Sequence, residues 1–282
     1  MNKAIDLLTV VFREDLGILK SQAQSIDLYC RTLDMATIMV VINDDEIKID
    51  DIDTSWWGGL RDRVLVIHRD RWQAKYKTSG WVIQQVLKLM ASCLSSSRYC
   101  LVLDAKTIFV TAVQFDNFFT DLHTLKFGQI RHHPVFEPSR QIVQRLFNIQ
   151  LPVQLGPGGV PFVIESDMVR DMIQWIESTA GIDFITWFQD QGMLTEFLLY
   201  SGWVIKTYGS LDHVAEKHNS FGQVVNVNPA EAPSFDDKFQ QMMHAITVSV
   251  HRDAWPLLTS AQQSQYRQFL RDRQIILYPE AQ

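Results

Sequence analysis

The chain has 282 residues, 46% of them hydrophobic and 21% charged, which is enough apolar content for a substantial core and excludes a disordered segment. A net charge of −6 and a pI near 5.7 argue against a broad nucleic-acid-binding surface, so no nucleic-acid partner is expected. Cys30, Cys93 and Cys100 lack a C-x-x-C spacing and sit in apolar segments, so they read as reduced core residues. No signal-peptide pattern opens the chain, and no apolar run approaches the roughly 18 residues of a membrane helix. The expectation is a cytoplasmic protein, at most peripheral to the inner membrane face.

Residues 5–12 (IDLLTVVF) read as a first strand, followed by Arg13-Glu14-Asp15 and an amphipathic helix reaching residue 33. Leu16, Leu19, Ala23, Ile26 and Cys30 share one face of it. Residues 38–42 form a second strand closed by Asn43-Asp44-Asp45, and residues 64–67 a third, after a loop carrying Trp56 and Trp57. Ser79 can cap a helix starting at Gly80 or Trp81, whose wide apolar face suits packing on a sheet. Residues 99–103 are apolar without alternation, as a central parallel strand requires, and Asp104 stands at the strand's carboxyl edge. The order β-α-β-β-α-β over about 110 residues predicts a nucleotide-binding half-sheet.

The remainder is less regular. Residues 125–138, with His132 and His133, suit a crossing strand or loop, and residues 155–161 (LGPGGVP) a turn. Ser166 is expected to cap a helix running to Ala180, with Gly181 as terminator. Residues 186–200 read as one further aromatic-rich helix carrying Glu196, and residues 221–237 as loop. A late strand over residues 246–250 ends on His251 and is expected near the centre of the sheet. Thr259 and Gln262 start a closing helix as a capping box. The organisation predicted is one domain, residues 1–258, with residues 259–282 as its C-terminal helical extension.

Open α/β sheets bind ligands outside the carboxyl ends of their strands, which draws attention to Asp44 and Asp104. Either could instead be a turn residue bonding its own backbone. If Asp104 and His251 converge, they offer an oxygen and a nitrogen to a divalent ion. Glu196, in the apolar stretch TEFLLY, must be paired, solvated in a cleft or shifted in pKa. His213 and His218 are spaced for neither a helix face nor a strand. No GKS or GKT follows Gly156, Gly158 and Gly159, and G-x-G-x-x-G and G-x-S-x-G are absent, which disfavours P-loop, dinucleotide and hydrolase chemistry. Trp56, Trp57, Trp72 and Trp81 suit core packing, sugar stacking or an exposed partner surface.

The stretches IDLLTVVFRED, VVIND, SGWVIQQVLKL, RYCLVLDAKTIFV, PFVIESDMV, LTEFLLYSGW and VSVHRDAW resemble, in order, those of GT-A glycosyltransferases, nearest to a bacterial group of unassigned specificity. The resemblance implies an α/β fold: a GT-A-like, Rossmann-type mixed sheet flanked by helices with a C-terminal helix. It implies a nucleotide-sugar donor, a glycan or other hydroxyl acceptor, and a divalent metal (Mn or Mg) bound through an Asp-x-Asp motif.

By position, the metal roles fall on Asp104 and His251 and the nucleoside contact on Asp44. Arg13 and Lys88 would reach nucleotide or phosphate, and Glu196 would be the catalytic or acceptor-binding acid. The motif here reads Asp104-Ala105-Lys106, with a base in place of the second acid. Lys106 could neutralise the diphosphate directly, as a catalytic cation, or repel a metal. The alternative implied by that departure is a catalytically inactive GT-A-like protein that binds nucleotide or glycan.

Overall fold

The computed structural model describes residues 4–73, 76–78, 80–120, 125–127, 134–152, 160–213, 215–217 and 224–278. The main sheet begins with β1 (Ile5–Val11), α1 (Leu16–Tyr29), β2 (Met35–Ile42), β3 (Val64–His68), α2 (Gly80–Ser92) and β4 (Tyr99–Asp104). The order expected from the sequence is therefore the order observed. A short β5 (Ile108–Phe109), β6 (Leu125–Phe127), α3 (Glu137–Phe147) and β7 (Phe162–Glu165) follow. Then come α4 (Ser166–Ala180), α5 (Phe184–Asp190), α6 (Glu196–Tyr208), β8 (Ala215–Lys217), β9 (Val224–Val227), α7 (Phe235–Met242), β10 (Thr247–Val250) and α8 (Ser260–Arg271).

The five-stranded sheet runs β3-β2-β1-β4-β7, parallel except for β7, which lies antiparallel on β4. Every residue of β1 is buried because both faces of the strand are covered. Ile5, Leu7 and Val11 point into one core with α1, whereas Leu8 and Val10 point into the other with α2, α4, α5 and α6. A third apolar cluster joins β5, β9 and β10 to α7 and α8 through Phe235, Tyr266, Phe269 and Leu270. β6 and β8 pair with each other.

Four expectations are corrected. Residues 186–200 are not one helix: Gly192, at φ +72°, breaks the chain between α5 and α6 in a conformation that favours glycine. The Asp183 side chain caps α5 by accepting from the Thr186 N–H, and Glu196 opens α6. Residues 221–237 are not simply loop, since β9 and the start of α7 lie there; only Val225 and Val227 are buried in that strand, too weak an apolar signal to read.

The late strand does not enter the main sheet. Both neighbours of β4 are taken, by β1 and β7, and β10 instead joins β5 and β9 in a three-stranded sheet of its own. Ser166 is the first helical residue of α4 rather than its cap, which is Glu165, while Gly181 ends that helix at φ +70° as expected. The Thr259–Gln262 capping box of α8 is formed in both directions.

Trp57 is fully buried, Trp56 and Trp72 are partly buried, and Trp81 is exposed, so the four tryptophans make no single aromatic surface. Ser79, His132, His133, His218 and residues 155–159 lie outside the described residues, as does the side chain of His213. Among the described residues, no helix is long and apolar enough to cross a membrane.

Candidate functional site

Asp104 ends β4 directly beside Val10 of β1, at the point where strand order reverses between β2-β1 and β4. The turn after it is fixed from below. The Gln22 amide of α1 donates to the carbonyls of Asp104 (2.6 Å) and Thr107 (3.0 Å), while its oxygen accepts from the Thr9 hydroxyl (2.9 Å). The turn closes by the Thr107 N–H donating to the Asp104 carbonyl at 2.9 Å. The Asp104 side chain is thus held at the sheet edge by a buried polar bracket that periodicity alone does not reveal.

Both oxygens of Asp104 carry an ammonium. Lys88 Nζ donates to Oδ1 at 2.9 Å and Lys106 Nζ to Oδ2 at 3.0 Å. Lys88, on the inner face of α2, also donates to Glu196 Oε1 at 3.0 Å, and its side chain is 4% exposed. Gln85, one turn earlier on α2, turns its amide nitrogen toward the same Glu196 carboxylate. The four charges therefore cancel in pairs.

Burial alone would lower the Lys88 pKa, but Asp104 and then Glu196 outweigh it and leave it raised. Burial pushes the Asp104 carboxyl up, yet Lys88 and Lys106 together hold it well below its ordinary value. Glu196 stays raised, because its burial exceeds what Lys88 alone returns.

A second group of charges borders the first. Arg252, two residues past β10, stands 3.7 Å from Glu14 Oε2 and 3.9 Å from Asp15 Oδ1, in the turn after β1. The Asp15 carboxyl is raised by burial, against the lowering pull of Arg252 and Lys106. His251 Nδ1 accepts the Asp253 N–H at 3.2 Å. Burial and then Lys106 lower the His251 pKa.

Asp44 accepts the Glu46 N–H at 2.8 Å and the Arg13 N–H at 3.3 Å, a turn geometry, and the Arg13 side chain pairs with Glu46. Beside them buried Asn43 donates to the Gly80 carbonyl (3.2 Å) and accepts from Arg69 (3.0 Å), tying the ends of β2, β3 and α2 together.

Of the residues singled out from the sequence, Lys88, Asp104, Lys106 and Glu196 meet in one bonded cluster, and His251 lies close enough for Lys106 and Asp104 to act on its charge. Asp44 and Arg13 share the adjoining strand-end turn. Lys88 is enclosed between two carboxylates rather than extended toward a ligand, and Glu196, 2% exposed, is sealed behind it. Arg252, Asp15, Gln85 and Gln22 were not singled out; the H-R-D run after the last strand was the available signal for Arg252.

These donors do not fit a divalent ion as they stand. Asp104 has an ammonium on each oxygen, and no group of three acidic, His or Cys side chains able to hold a metal occurs among the described residues.

The chain belongs to a family described as a family of unknown function (DUF6492), whose match spans residues 11–247. No curated protein matches it in sequence. Its structure is similar to that of the galactosyltransferase LgtC in complex with donor and acceptor sugar analogues, at 13% identity, 95% coverage of each chain and a TM-score of 0.52. An active-site mutant of LgtC matches at 13% identity, with the same coverage and a TM-score of 0.53. This likeness shows the fold, which is of the GT-A glycosyltransferase type expected from the sequence.

Proposed function

We propose that this member of the family transfers a sugar from a nucleotide-diphosphate donor to the hydroxyl of a glycan or other acceptor. The observation that carries the proposal is the cluster at Asp104: on a GT-A fold, a balanced set of carboxylates and ammonium groups stands at the sheet's topological switch point. LgtC, with the same architecture, was crystallised with donor and acceptor sugar analogues.

In the reaction, the bond from the anomeric carbon to the diphosphate breaks and its electron pair leaves with the diphosphate. The acceptor oxygen bonds to that carbon and the acceptor's proton passes to the departing diphosphate or to solvent water. Negative charge grows on the departing diphosphate, and a fixed cation there lowers the barrier. Lys106, with 28% of its side chain exposed, is the ammonium of the cluster able to turn from Asp104 toward phosphate. Lys88 remains between Asp104 and Glu196 and sets the position of Asp104. Glu196 acts through Lys88, being too enclosed to touch an acceptor. Asp44 and Arg13, on the β2 and β1 ends, border the nucleoside side of the crevice.

The test is thermal stabilisation by a panel of nucleoside diphosphates and nucleotide sugars, followed by assay of sugar release and transfer with the donor that binds. A ligand at about 100 times its dissociation constant should add about 2.7 kcal/mol of stability. Stabilisation by one base, weakened in Lys106→Ala, is expected. If no donor binds, the transferase assignment is overturned.

A further inference from the structure

We propose that the donor diphosphate is held in this protein without a divalent ion, by Lys106 and Arg252 acting together, which makes Arg252 a phosphate-binding residue. The inference rests on the transferase assignment above. The acid that the GT-A resemblance gives to a metal is engaged by the chain itself: Asp104 carries a lysine on each carboxylate oxygen. A metal would have to displace Lys106 and sit beside Lys88, which is locked in place by Glu196.

Arg252 is placed to complete what Lys106 begins. β10 runs antiparallel to β5 with Val248 opposite Ile108, so the chain leaving β10 passes the segment that carries Lys106. Val250, His251 and Arg252 therefore emerge at the Asp104 turn. The guanidinium is partly exposed, with its acidic neighbours Glu14, Asp15 and Asp253 at 3.7 to 3.9 Å. These are ion-pair distances longer than hydrogen bonds, and such pairs contribute little to stability. The planar fork of donors is free to turn onto phosphate oxygens, where Arg binds in bidentate fashion. Two single positive charges then face the diphosphate where a divalent ion would otherwise stand.

The experiment is isothermal titration calorimetry with UDP, GDP, ADP and CDP, in EDTA and then in Mn²⁺, on the wild type, Lys106→Ala, Arg252→Ala and Arg252→Lys. One nucleotide is expected to bind with the same affinity in EDTA and Mn²⁺. Lys106→Ala and Arg252→Ala should each weaken it by about tenfold or more, with Arg252→Lys in between. Because Arg252 is half exposed, its variants should keep the wild-type melting temperature, separating lost binding from lost folding. Binding in Mn²⁺ that vanishes in EDTA overturns the metal-free site and leaves the transferase assignment standing. Undiminished affinity in Arg252→Ala overturns the role of Arg252. If no nucleotide binds in either buffer, the transferase assignment falls and this inference falls with it.

Discussion

Lys88 and Glu196 meet across 3.0 Å with both side chains almost sealed from water, and Asp104 takes the same ammonium at 2.9 Å. Removing one partner of a buried pair costs about 3–5 kcal/mol, because the other charge is left uncompensated. Lys88→Met should therefore lower the unfolding free energy by about that amount in urea denaturation. Asp104 would retain Lys106, so the cost falls mainly on Glu196. The double variant Lys88→Met with Glu196→Gln should recover much of it, since Gln85 remains to bond the amide. A loss under about 1 kcal/mol in Lys88→Met would mean that water reaches the pair.

The same cluster sets a pH dependence. The folded Asp104 pKa is lowered from 3.8, so its contribution is present above that value and is lost as pH falls below it. Glu196 works in the opposite sense: its carboxyl is raised above 4.5, so protonation in the range just above that value favours the folded state. Lys88 is raised above 10.5, and its contribution fades as pH climbs beyond there. Urea denaturation over a pH series should show stability falling below about pH 4, and Asp104→Asn should flatten that fall. An unchanged acid slope would place the acid-sensitive group elsewhere.

The first half of the fold was legible because each element announces itself. The apolar runs of β1, β2 and β4 have no polar face, and the helices between them carry clean stripes, so topology followed from order. What the sequence hid was pairing over long separations. β10 reads as a buried strand whichever sheet it joins, and nothing in ITVSV says that β5, two residues long, will be its partner. At the site, position along the chain pointed to Asp104, Lys106 and Glu196, but not to the enclosure of Lys88 between two carboxylates. That contact joins residues 108 positions apart, and a lysine on an otherwise apolar helix face looks the same whether it is buried or reaches outward.

Gly202 sits on α6 where that helix crosses α3. A Cβ there would stand 2.2 Å from Val143 Cγ1 and 3.1 Å from Phe147 Cδ2, both of them buried side chains. Valine is stiff at χ1, so the neighbour cannot turn aside cheaply. Overpacking of this kind costs about 1–3 kcal/mol, against a gain of about 1 kcal/mol in helix propensity. Gly202→Ala should thus lower the melting temperature, and Val143→Ala in the same chain should relieve it non-additively. Strict additivity of the two substitutions would mean that α6 shifts instead of clashing.

Lys106 separates chemistry from folding most cleanly. Its removal leaves Asp104 paired with Lys88 at 2.9 Å, so Lys106→Ala should change stability far less than Lys88→Met. If Lys106 meets the charge that grows on the departing diphosphate, its loss falls on the transition state more than on the bound donor. Turnover of the donor found by the binding panel should then drop by about 100- to 1000-fold, with a smaller change in KM. Lys106→Arg keeps the charge but alters its reach and should restore part of the rate. Steady-state kinetics on the two variants, alongside their urea curves, makes the comparison. Unchanged kcat in a folded Lys106→Ala protein would take the stabilising charge away from Lys106 and pass it to Arg252 or to a metal.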